Sequence, residues 1–535
     1  MADLRRWVTL LRKHWVEAAL ALGLVAQCLP LLLTRVLPFH DAAGIIGLGG
    51  VLAHLDDPRT RDFYTVDFGA YPSIGYFGWA WLAAKLHVPV DVAFNVFIAL
   101  FCLAGPPLAL LLVLRAFDKP RALALLALPV GYHHQIWYGF LGSAAAITGL
   151  LLALAFARAA SLRPRPGNHL GLAAAMLFVA LCHPFALAMT LAVVAPLLFW
   201  PSARRWAIPA RLACFLPTLL FLAAWARRFF AGGTGDARDA APWTFRLSRE
   251  LRLQRPPLGE DLGNFFHWLG GGYLGHVDEV ITAVALVVLA IFLAGGVRGE
   301  PPVERRGGAL WLGWAALVLA LGYLLLPDKI YWPTYWWGLR VRCVVPLFLV
   351  AVAAVRVSRR GLPPWAALVS AAAGLIFATY VSADFRGRWR GRALDGFDQA
   401  LAAVPPGQSL LYFAVFPEPH YTLPHPYIAQ YYVARTGGRA TPFLGGHPGS
   451  YWVTQKPSPE APPWGDRTQF VWQDHGLGYD YFLVEMPLEG PQIDPLSNVP
   501  SDAVTRLSSR GPWRLYRRLR PPLPGDGGSR ESTAQ

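Results

Sequence analysis

The segment Leu37-Pro38-Phe39-His40-Asp41-Ala42-Ala43-Gly44 follows the first long apolar stretch of the chain. It puts an acidic residue, Asp41, where a membrane-spanning helix would end and meet water. A glycine-rich apolar run (Ile45 to Leu55) comes next, and an aromatic run (Ile74 to Leu86) follows it. We interpret both runs as helices at the membrane surface. A carboxylate held beside such interfacial segments suits chemistry on a substrate that is half lipid and half polar.

The composition predicts a polytopic α-helical membrane protein. The chain has 535 residues, of which 55% are hydrophobic and only 15% charged. Its apolar residues fall in blocks of about 18–25, the length that crosses a bilayer core. Much of the net charge of +15 lies in short loops between these blocks, so it indicates orientation in the membrane and no nucleic-acid partner. The cysteines lack metal-ligand spacing and are interpreted as small apolar residues: Cys28, Cys102, Cys182, Cys214 and Cys343.

The positive-inside rule predicts about eleven transmembrane helices. The N-terminus is cytoplasmic, behind Arg5, Arg6, Arg12 and Lys13, so Asp41 emerges on the outer face. If the helix after Pro72 stays at the interface, every inward-facing connection is basic. The predicted spans are residues 16–37, 92–114, 122–137 and 141–157, two short spans within 170–200 broken at Cys182-His183-Pro184, and residues 212–225, 280–294, 310–326, 344–355 and 365–380.

The composition changes after Asp384. Residues 1–385 form the predicted transmembrane domain, in which residues 38–90 are the first outer loop. Residues 390–520 alternate apolar runs with turn signals: strands at Ser409 to Val415, Tyr479 to Met486 and Pro512 to Arg517, and a helix at Tyr427 to Arg435. This order predicts a small exoplasmic α/β domain, and the tail 521–535 is predicted to be disordered.

The basic N-terminus, the first span, the outward Asp41, the interfacial helices entered at Tyr71-Pro72-Ser73 and the outer α/β domain together resemble the GT-C superfamily. Its members are integral-membrane glycosyltransferases that use polyprenyl-phosphate sugars. The resemblance is architectural and covers nearly the whole chain. Many members carry two adjacent acidic residues in the first outer loop, whereas this chain has His40-Asp41-Ala42. The resemblance implies a lipid-linked sugar donor and a glycan, lipid or protein acceptor.

Asp41 is the predicted general base, because displacement at a sugar carbon requires a group that accepts the acceptor's proton. The alternative is that Asp41 only caps the following helix. Arg340 and Arg342 could grip the lipid phosphate, or they could be snorkelling anchors of a span. Further predicted substrate-binding residues are Tyr335, Trp336, His40, Arg228 and Lys329. No metal site and no cofactor are predicted, although a divalent cation would suit a phosphate leaving group.

Two other functions stay open at this stage. A transporter or flippase for a lipid-linked or polar substrate would also be polytopic, but internal repeats and mid-span charges are not evident. A non-catalytic membrane assembly protein would depend on residues 390–520. The Arg-rich, Ala-rich composition favours a bacterial source, and hence the cytoplasmic membrane with a periplasmic or extracellular C-terminal region.

Overall fold

The computed structural model describes residues 2–199, 207–231, 258–271, 276–297, 308–330, 336–355, 364–414, 425–444, 452–457, 459–462, 465–487 and 494–519. These residues are mostly helical. The predicted tail 521–535 lies outside the described residues.

Nineteen α-helices in the described ranges are numbered here in chain order: α1 Ala2–Leu33, α2 Ala42–Ala53, α3 Pro58–Phe63, α4 Ile74–Lys85, α5 Val90–Phe97, α6 Gly105–Ala116, α7 His134–Trp137, α8 Leu141–Leu162, α9 Pro166–Cys182, α10 Pro184–Phe199, α11 Ala207–Ala213, α12 Leu216–Ala231, α13 Leu258–Gly270, α14 Val277–Val297, α15 Gly308–Leu325, α16 Val341–Ala354, α17 Pro364–Asp384, α18 Phe397–Ala402 and α19 Gln430–Thr436. Wider π-helical turns cover Ile98–Ala104, Phe385–Ala393 and Trp472–Gly476, and tighter 3₁₀ turns cover Arg121–Val130 and Arg467–Gln469.

The strands are β1 Tyr64–Val66, β2 Lys329–Ile330, β3 Trp336–Trp337, β4 Ser409–Phe413, β5 Arg439–Thr441, β6 Val453–Gln455, β7 Tyr481–Glu485, β8 Val504–Arg510 and β9 Trp513–Arg518. Five of them form a mixed sheet in the order β5-β4-β7-β9-β8. Strand β4 runs parallel to β5 and β7, and β9 runs antiparallel to β7 and β8. All five residues of β4 are buried, as expected for an inner strand covered on both faces.

The chain divides into two compact units. The first, called the helical unit, contains residues 1–33, 69–76 and 95–382. The second, called the sheet unit, contains residues 34–68, 77–94 and 383–535. The predicted boundaries at 385 and 390 remain a prediction, and the sheet unit adds two segments of the first loop to the C-terminal region.

Helix α8 is the most enclosed of the long apolar helices in the helical unit. Helices α6, α9 and α10 pack against it. Small residues permit this close packing: a Cβ added at Gly149 would lie 2.4 Å from Val179 Cγ2. The break predicted at His183-Pro184 is confirmed, because α9 ends at Cys182 and α10 begins at Pro184.

Within the described ranges, five helical segments are long and apolar enough to cross a membrane: His14–Leu33, Val90–Ala116, Leu141–Leu162, Gly308–Leu325 and Trp365–Ala393. Each coincides with a predicted span. The predicted count of about eleven is not confirmed. Helix α4 has 12 residues, or about 18 Å at 1.5 Å per residue, which is too short for a bilayer core and agrees with a helix that does not span.

The predicted span 122–137 is wrong as a single helix. A 3₁₀ turn covers Arg121–Val130, and the separate short helix α7 covers His134–Trp137. Pro129 lies near the end of the 3₁₀ turn and cannot donate a backbone hydrogen bond, and Gly131 follows it. Apolar character alone did not distinguish this buried irregular segment from a membrane span.

Three predicted strands and the predicted helix of the C-terminal region correspond to β4, β7, β9 and α19. The helix begins at Gln430, three residues later than predicted. Strands β5 and β8 were not predicted. Strand β8 is polar and irregular, with a register shift between Arg506 and Ser508, so it carries no apolar signal.

Helix α2 packs closely against α19 in the sheet unit because three of its glycines share one face. A Cβ at Gly50 would lie 2.3 Å from Ala434 Cα, and one at Gly47 would lie 2.7 Å from Gln430 Cβ. A Cβ at Gly44 would lie 2.8 Å from Leu444 Cβ. The backbone of α2, which begins directly after Asp41, therefore lies in close contact with α19 and Leu444.

Gly50→Ala should destabilise the protein by about 1–3 kcal/mol, because the new methyl group meets backbone that cannot move aside cheaply. Gly78→Ala in α4 is the matched control, since nothing lies within 4 Å of its Cβ position. It should be neutral or stabilising by about 0.5–1 kcal/mol. Thermal unfolding of both purified variants in detergent measures the difference, and equal effects would contradict this packing.

Candidate functional site

His40 and Asp41 form a hydrogen-bonded pair at the start of α2. His40 Nδ1 lies 2.6 Å from Asp41 Oδ1, and the two side chains are 13% and 21% exposed. An ionised carboxylate can only accept hydrogen bonds, so Nδ1 carries the hydrogen in this pair. The neutral ring then has its acceptor lone pair on Nε2. The pair is a partly accessible carboxylate–imidazole couple, the arrangement that accepts and holds a proton.

The backbone before this pair is buried and is held by side chains distant in sequence. Trp389 Nε1 donates to the Val36 carbonyl oxygen at 2.7 Å. The Leu37 N–H donates to the Tyr431 hydroxyl at 2.8 Å. Val36 and Leu37 are 2% and 1% exposed, so these bonds satisfy backbone groups that water does not reach. The position of Asp41 is thus set from elements that lie more than 340 residues later in the chain.

Aromatic contacts lie at His40 and along the neighbouring segments of the sheet unit. Tyr427 meets the His40 ring edge to face, with 6.4 Å between ring centroids. His425 meets Trp389 at 4.5 Å, and Phe39 meets Phe385 at 6.1 Å. Neither the Tyr427 contact of His40 nor the Trp389–His425 pair could be found from the sequence, because no local spacing relates these residues to positions 36–40.

Asp41 occupies the position before α2, but its carboxylate makes no capping hydrogen bond to that helix. Asp57 shows what capping looks like in the same unit: its Oδ1 accepts from the Arg59 N–H at 2.9 Å at the start of α3. The capping alternative for Asp41 therefore lacks the bond it requires. The carboxylate is oriented by His40 instead.

Burial lowers the pKa of His425 to about 3, and the nearby Arg388 guanidinium adds to this effect. Its Nδ1 is buried without a hydrogen-bond partner among the described residues. His425 is therefore neutral at physiological pH and contributes no charge beside the His40–Asp41 pair.

Arg340 lies in the helical unit and is 1% exposed. Its guanidinium forms an ion pair with Asp261, which is 79 residues away in sequence, and its Nε donates to the Tyr323 carbonyl oxygen at 2.8 Å. The side chain was expected to face a lipid phosphate at the membrane surface. The structure instead buries Arg340 because Asp261 supplies its counter-charge, and a role in phosphate binding stays a prediction.

Arg342 is half-buried and lies on aromatic rings. Its guanidinium is 4.4 Å from the Phe140 ring centroid, and it donates to the Trp337 carbonyl oxygen. The Trp337 and Tyr138 rings are 4.4 Å apart, and Tyr138 stacks on His134 at 5.4 Å. A cation beside a continuous aromatic surface can bind a phosphate together with an apolar chain. We call these five residues the Arg342 cluster.

The other predicted binding residues have the following positions. Lys329 is half-buried in the short hairpin of β2 and β3, where it pairs with Trp337 in register. Arg228 is exposed near the end of α12, and a Cβ at Gly69 would lie 2.2 Å from its guanidinium. The backbone of Trp336 belongs to β3, and Tyr335 lies outside the described residues.

The structure thus brings His40 to Asp41 in the sheet unit, and Trp337 to Arg342 in the helical unit. Within the described ranges, no group of three or more His, Cys, Asp or Glu side chains is placed to hold a metal ion. Phe140, Tyr138 and Asp261 are the neighbours that the sequence did not reveal.

Comparison with solved structures identifies the fold. ArnT from Cupriavidus metallidurans in the apo state matches with a TM-score of 0.54 and 14% identity, over 94% of this chain and 98% of ArnT. The same protein bound to undecaprenyl phosphate matches with a TM-score of 0.52 and 14% identity, over 94% and 97%. The mycobacterial arabinofuranosyltransferase AftD (R1389S mutant) gives a TM-score of 0.46 with 15% identity, over 94% of this chain and 41% of AftD. No protein-family model matches the chain, and no curated protein does.

The predicted resemblance to the GT-C superfamily is confirmed at the level of the fold, because ArnT is a GT-C glycosyltransferase and the match extends over nearly the full length of both chains. The chain therefore shares the fold of ArnT, and the part of it that the structure describes contains five helical segments long and apolar enough to cross a membrane.

Asp261→Asn should destabilise the protein by about 3–5 kcal/mol, because it leaves the buried Arg340 charge without a partner. Asp395→Asn breaks an exposed pair, in which Asp395 lies 2.9 Å from Arg510, and should cost no more than about 1 kcal/mol. Unfolding temperatures in detergent compare the two variants. Similar losses would show that the Arg340 pair is not buried as described.

His425 should make the protein less stable in acid. Its pKa of about 3 in the folded protein lies below the ordinary value near 6.5, so the unfolded chain binds more protons. Folding stability should fall as pH drops from about 6.5 towards 3, by up to about 1.4 kcal/mol per pH unit. His425→Gln should flatten this dependence between pH 7 and pH 5, and the exposed-site variant His87→Asn should not. An unchanged slope in His425→Gln would refute the prediction.

Proposed function

We propose that this protein is a membrane glycosyltransferase that moves a sugar from a polyprenyl-phosphate donor to an acceptor hydroxyl. The observation that supports this most strongly is the 2.6 Å bond between His40 Nδ1 and Asp41 Oδ1. The pair lies just after the first candidate span, on a chain with the GT-C fold. ArnT, which shares this fold, has been solved with undecaprenyl phosphate bound.

In the proposed reaction, the acceptor oxygen attacks the anomeric carbon of the donor sugar. The bond between that carbon and the phosphate oxygen breaks, and its electron pair leaves with the polyprenyl phosphate. Asp41 accepts the proton of the acceptor hydroxyl, and the hydrogen bond from His40 fixes the carboxylate orientation. The same hydrogen bond stabilises the negative charge of the carboxylate before it accepts the proton.

The Arg342 cluster is the proposed site for the donor phosphate and the first isoprene units. Arg342 supplies the positive charge that stabilises the departing phosphate, and Phe140, Tyr138 and Trp337 supply an apolar surface beside it. The β2–β3 hairpin adds a second positively charged residue, Lys329, which is in register with Trp337. Arg340, which touches Asp261 and Tyr323, is proposed to hold the start of α16 and thereby position Arg342.

The proposed setting is the bacterial cytoplasmic membrane, with the N-terminus in the cytoplasm. Residues 390–520 then form a periplasmic or extracellular region, and the acceptor is a glycan, lipid or protein on that side. No resident cofactor is part of the proposal. A divalent cation would act on the leaving phosphate and would be detected as loss of activity with a chelator.

Asp41→Asn should lower kcat by at least about 100-fold with little change in KM for the donor, because the amide cannot accept the proton. His40→Gln should lower kcat by about tenfold, since the carboxylate stays but loses its orientation. The assay supplies purified protein with a panel of polyprenyl-phosphate sugars and acceptors, and measures release of polyprenyl phosphate.

Asp57→Asn is the matched control, because Asp57 is a helix cap in the same unit. It should leave kcat unchanged. Turnover unaffected by Asp41→Asn, in a sample that unfolds like the wild type, would remove the proposed mechanism.

A further inference from the structure

Five exposed arginines lie on two segments of the sheet unit that are distant in sequence. Arg35 follows the first candidate span, which ends at Leu33. Arg386, Arg388, Arg390 and Arg392 alternate along the π-helical segment Phe385–Ala393, which ends the last candidate span. We call this set the arginine collar. Nothing in the proposed glycosyl transfer uses it.

Two aromatic anchors hold the collar together. Trp389, which is 7% exposed, donates from its Nε1 to the carbonyl oxygen of Val36, the residue next to Arg35. Phe385 is fully buried and packs edge to face on Phe39. The apolar side of the π-helical segment is therefore fixed to residues 36–39, and its arginines face outward. The collar is a preformed surface rather than a set of unrelated loop charges.

The collar carries little compensating negative charge. Among the described residues, Arg35, Arg386, Arg388 and Arg392 form no ion pair with a carboxylate within 4 Å. Asp384 lies close enough for its charge to interact with Arg388. The next carboxylate in sequence, Asp395, is already paired with Arg510 at 2.9 Å. The positive charges of Arg35, Arg386, Arg388 and Arg392 thus have one partly buried carboxylate, Asp384, near them.

We propose that the arginine collar binds the phosphate groups of anionic phospholipids. It lies at the ends of two segments long enough to cross the bilayer, which is the depth of lipid headgroups. Guanidinium groups grip phosphate oxygens through paired hydrogen bonds, and arginine is less strongly hydrated than lysine. The alternation of arginine with glycine and an anchoring tryptophan leaves room for headgroups between the cations.

The choice of a lipid over a soluble anion rests on this geometry. A soluble phosphate could bind any exposed arginine, but the collar combines cations from the ends of two apolar helical segments. The proposal does not depend on the proposed glycosyl transfer, since a transporter of the same fold would carry the same surface.

The test measures retained phospholipid by native mass spectrometry. Purified full-length protein in neutral detergent is titrated with phosphatidylglycerol and, separately, with phosphatidylcholine. Phosphatidylglycerol should bind more tightly, and Arg386→Gln/Arg392→Gln should weaken its binding by roughly 25-fold, at about fivefold per arginine. Phosphatidylcholine binding should not change.

Arg506→Gln/Arg517→Gln is the control, because it removes the same net charge from exposed positions of β8 and β9. Equal loss of phosphatidylglycerol in both double variants would overturn the proposal. If the collar variant does not fold, a salt titration of the wild-type protein tests the proposal. Its affinity for phosphatidylglycerol should fall steeply as the sodium chloride concentration rises. Salt-independent binding, or displacement of phosphatidylglycerol by millimolar inorganic phosphate, would contradict a lipid-specific collar.

Discussion

The buried backbone of residues 36–39 is the constraint on which the site in the sheet unit depends. These residues follow the first candidate span but are not helical, so their backbone N–H and C=O groups need hydrogen-bond partners other than a helix. Thr34 Oγ1, Tyr431 and Trp389 supply them. A buried backbone group without a partner would cost about 1–3 kcal/mol. These contacts fix the polypeptide just before His40 and Asp41, and the glycine face of α2 fixes it just after them.

Three groups of arginines experience three different environments, and their chemistry follows from burial. Arg340 is enclosed with Asp261, where it stabilises the fold and its charge is already matched. Arg342 is half-buried on aromatic rings and donates to the Trp337 carbonyl oxygen. The arginine collar is exposed and has few carboxylates nearby. Counting arginines at predicted helix ends does not separate these roles, since each depends on a partner that is distant in sequence.

Apolar block length and loop charge were enough to predict a polytopic helical membrane protein, because a bilayer imposes those patterns directly on the sequence. The helix break at Pro184 and the inner strand β4 were predictable because proline and continuous apolar runs determine local structure. The span 122–137 was wrong because a buried irregular segment is as apolar as a span. Two contacts could not be predicted, because no sequence spacing connects their residues. Asp261 and Arg340 are 79 residues apart, and Trp389 and Val36 are 353 residues apart.

The central claim is that the chain transfers sugar from a polyprenyl-phosphate donor, and one measurement tests it most directly. Wild-type protein is incubated with the same sugar presented either on polyprenyl phosphate or on a nucleoside diphosphate, together with membrane-derived acceptors. The account predicts sugar transfer and stoichiometric release of polyprenyl phosphate from the first donor, and no transfer from the second. Transfer from the nucleotide sugar, or movement of the intact lipid-linked sugar across a vesicle membrane without transfer, would contradict it.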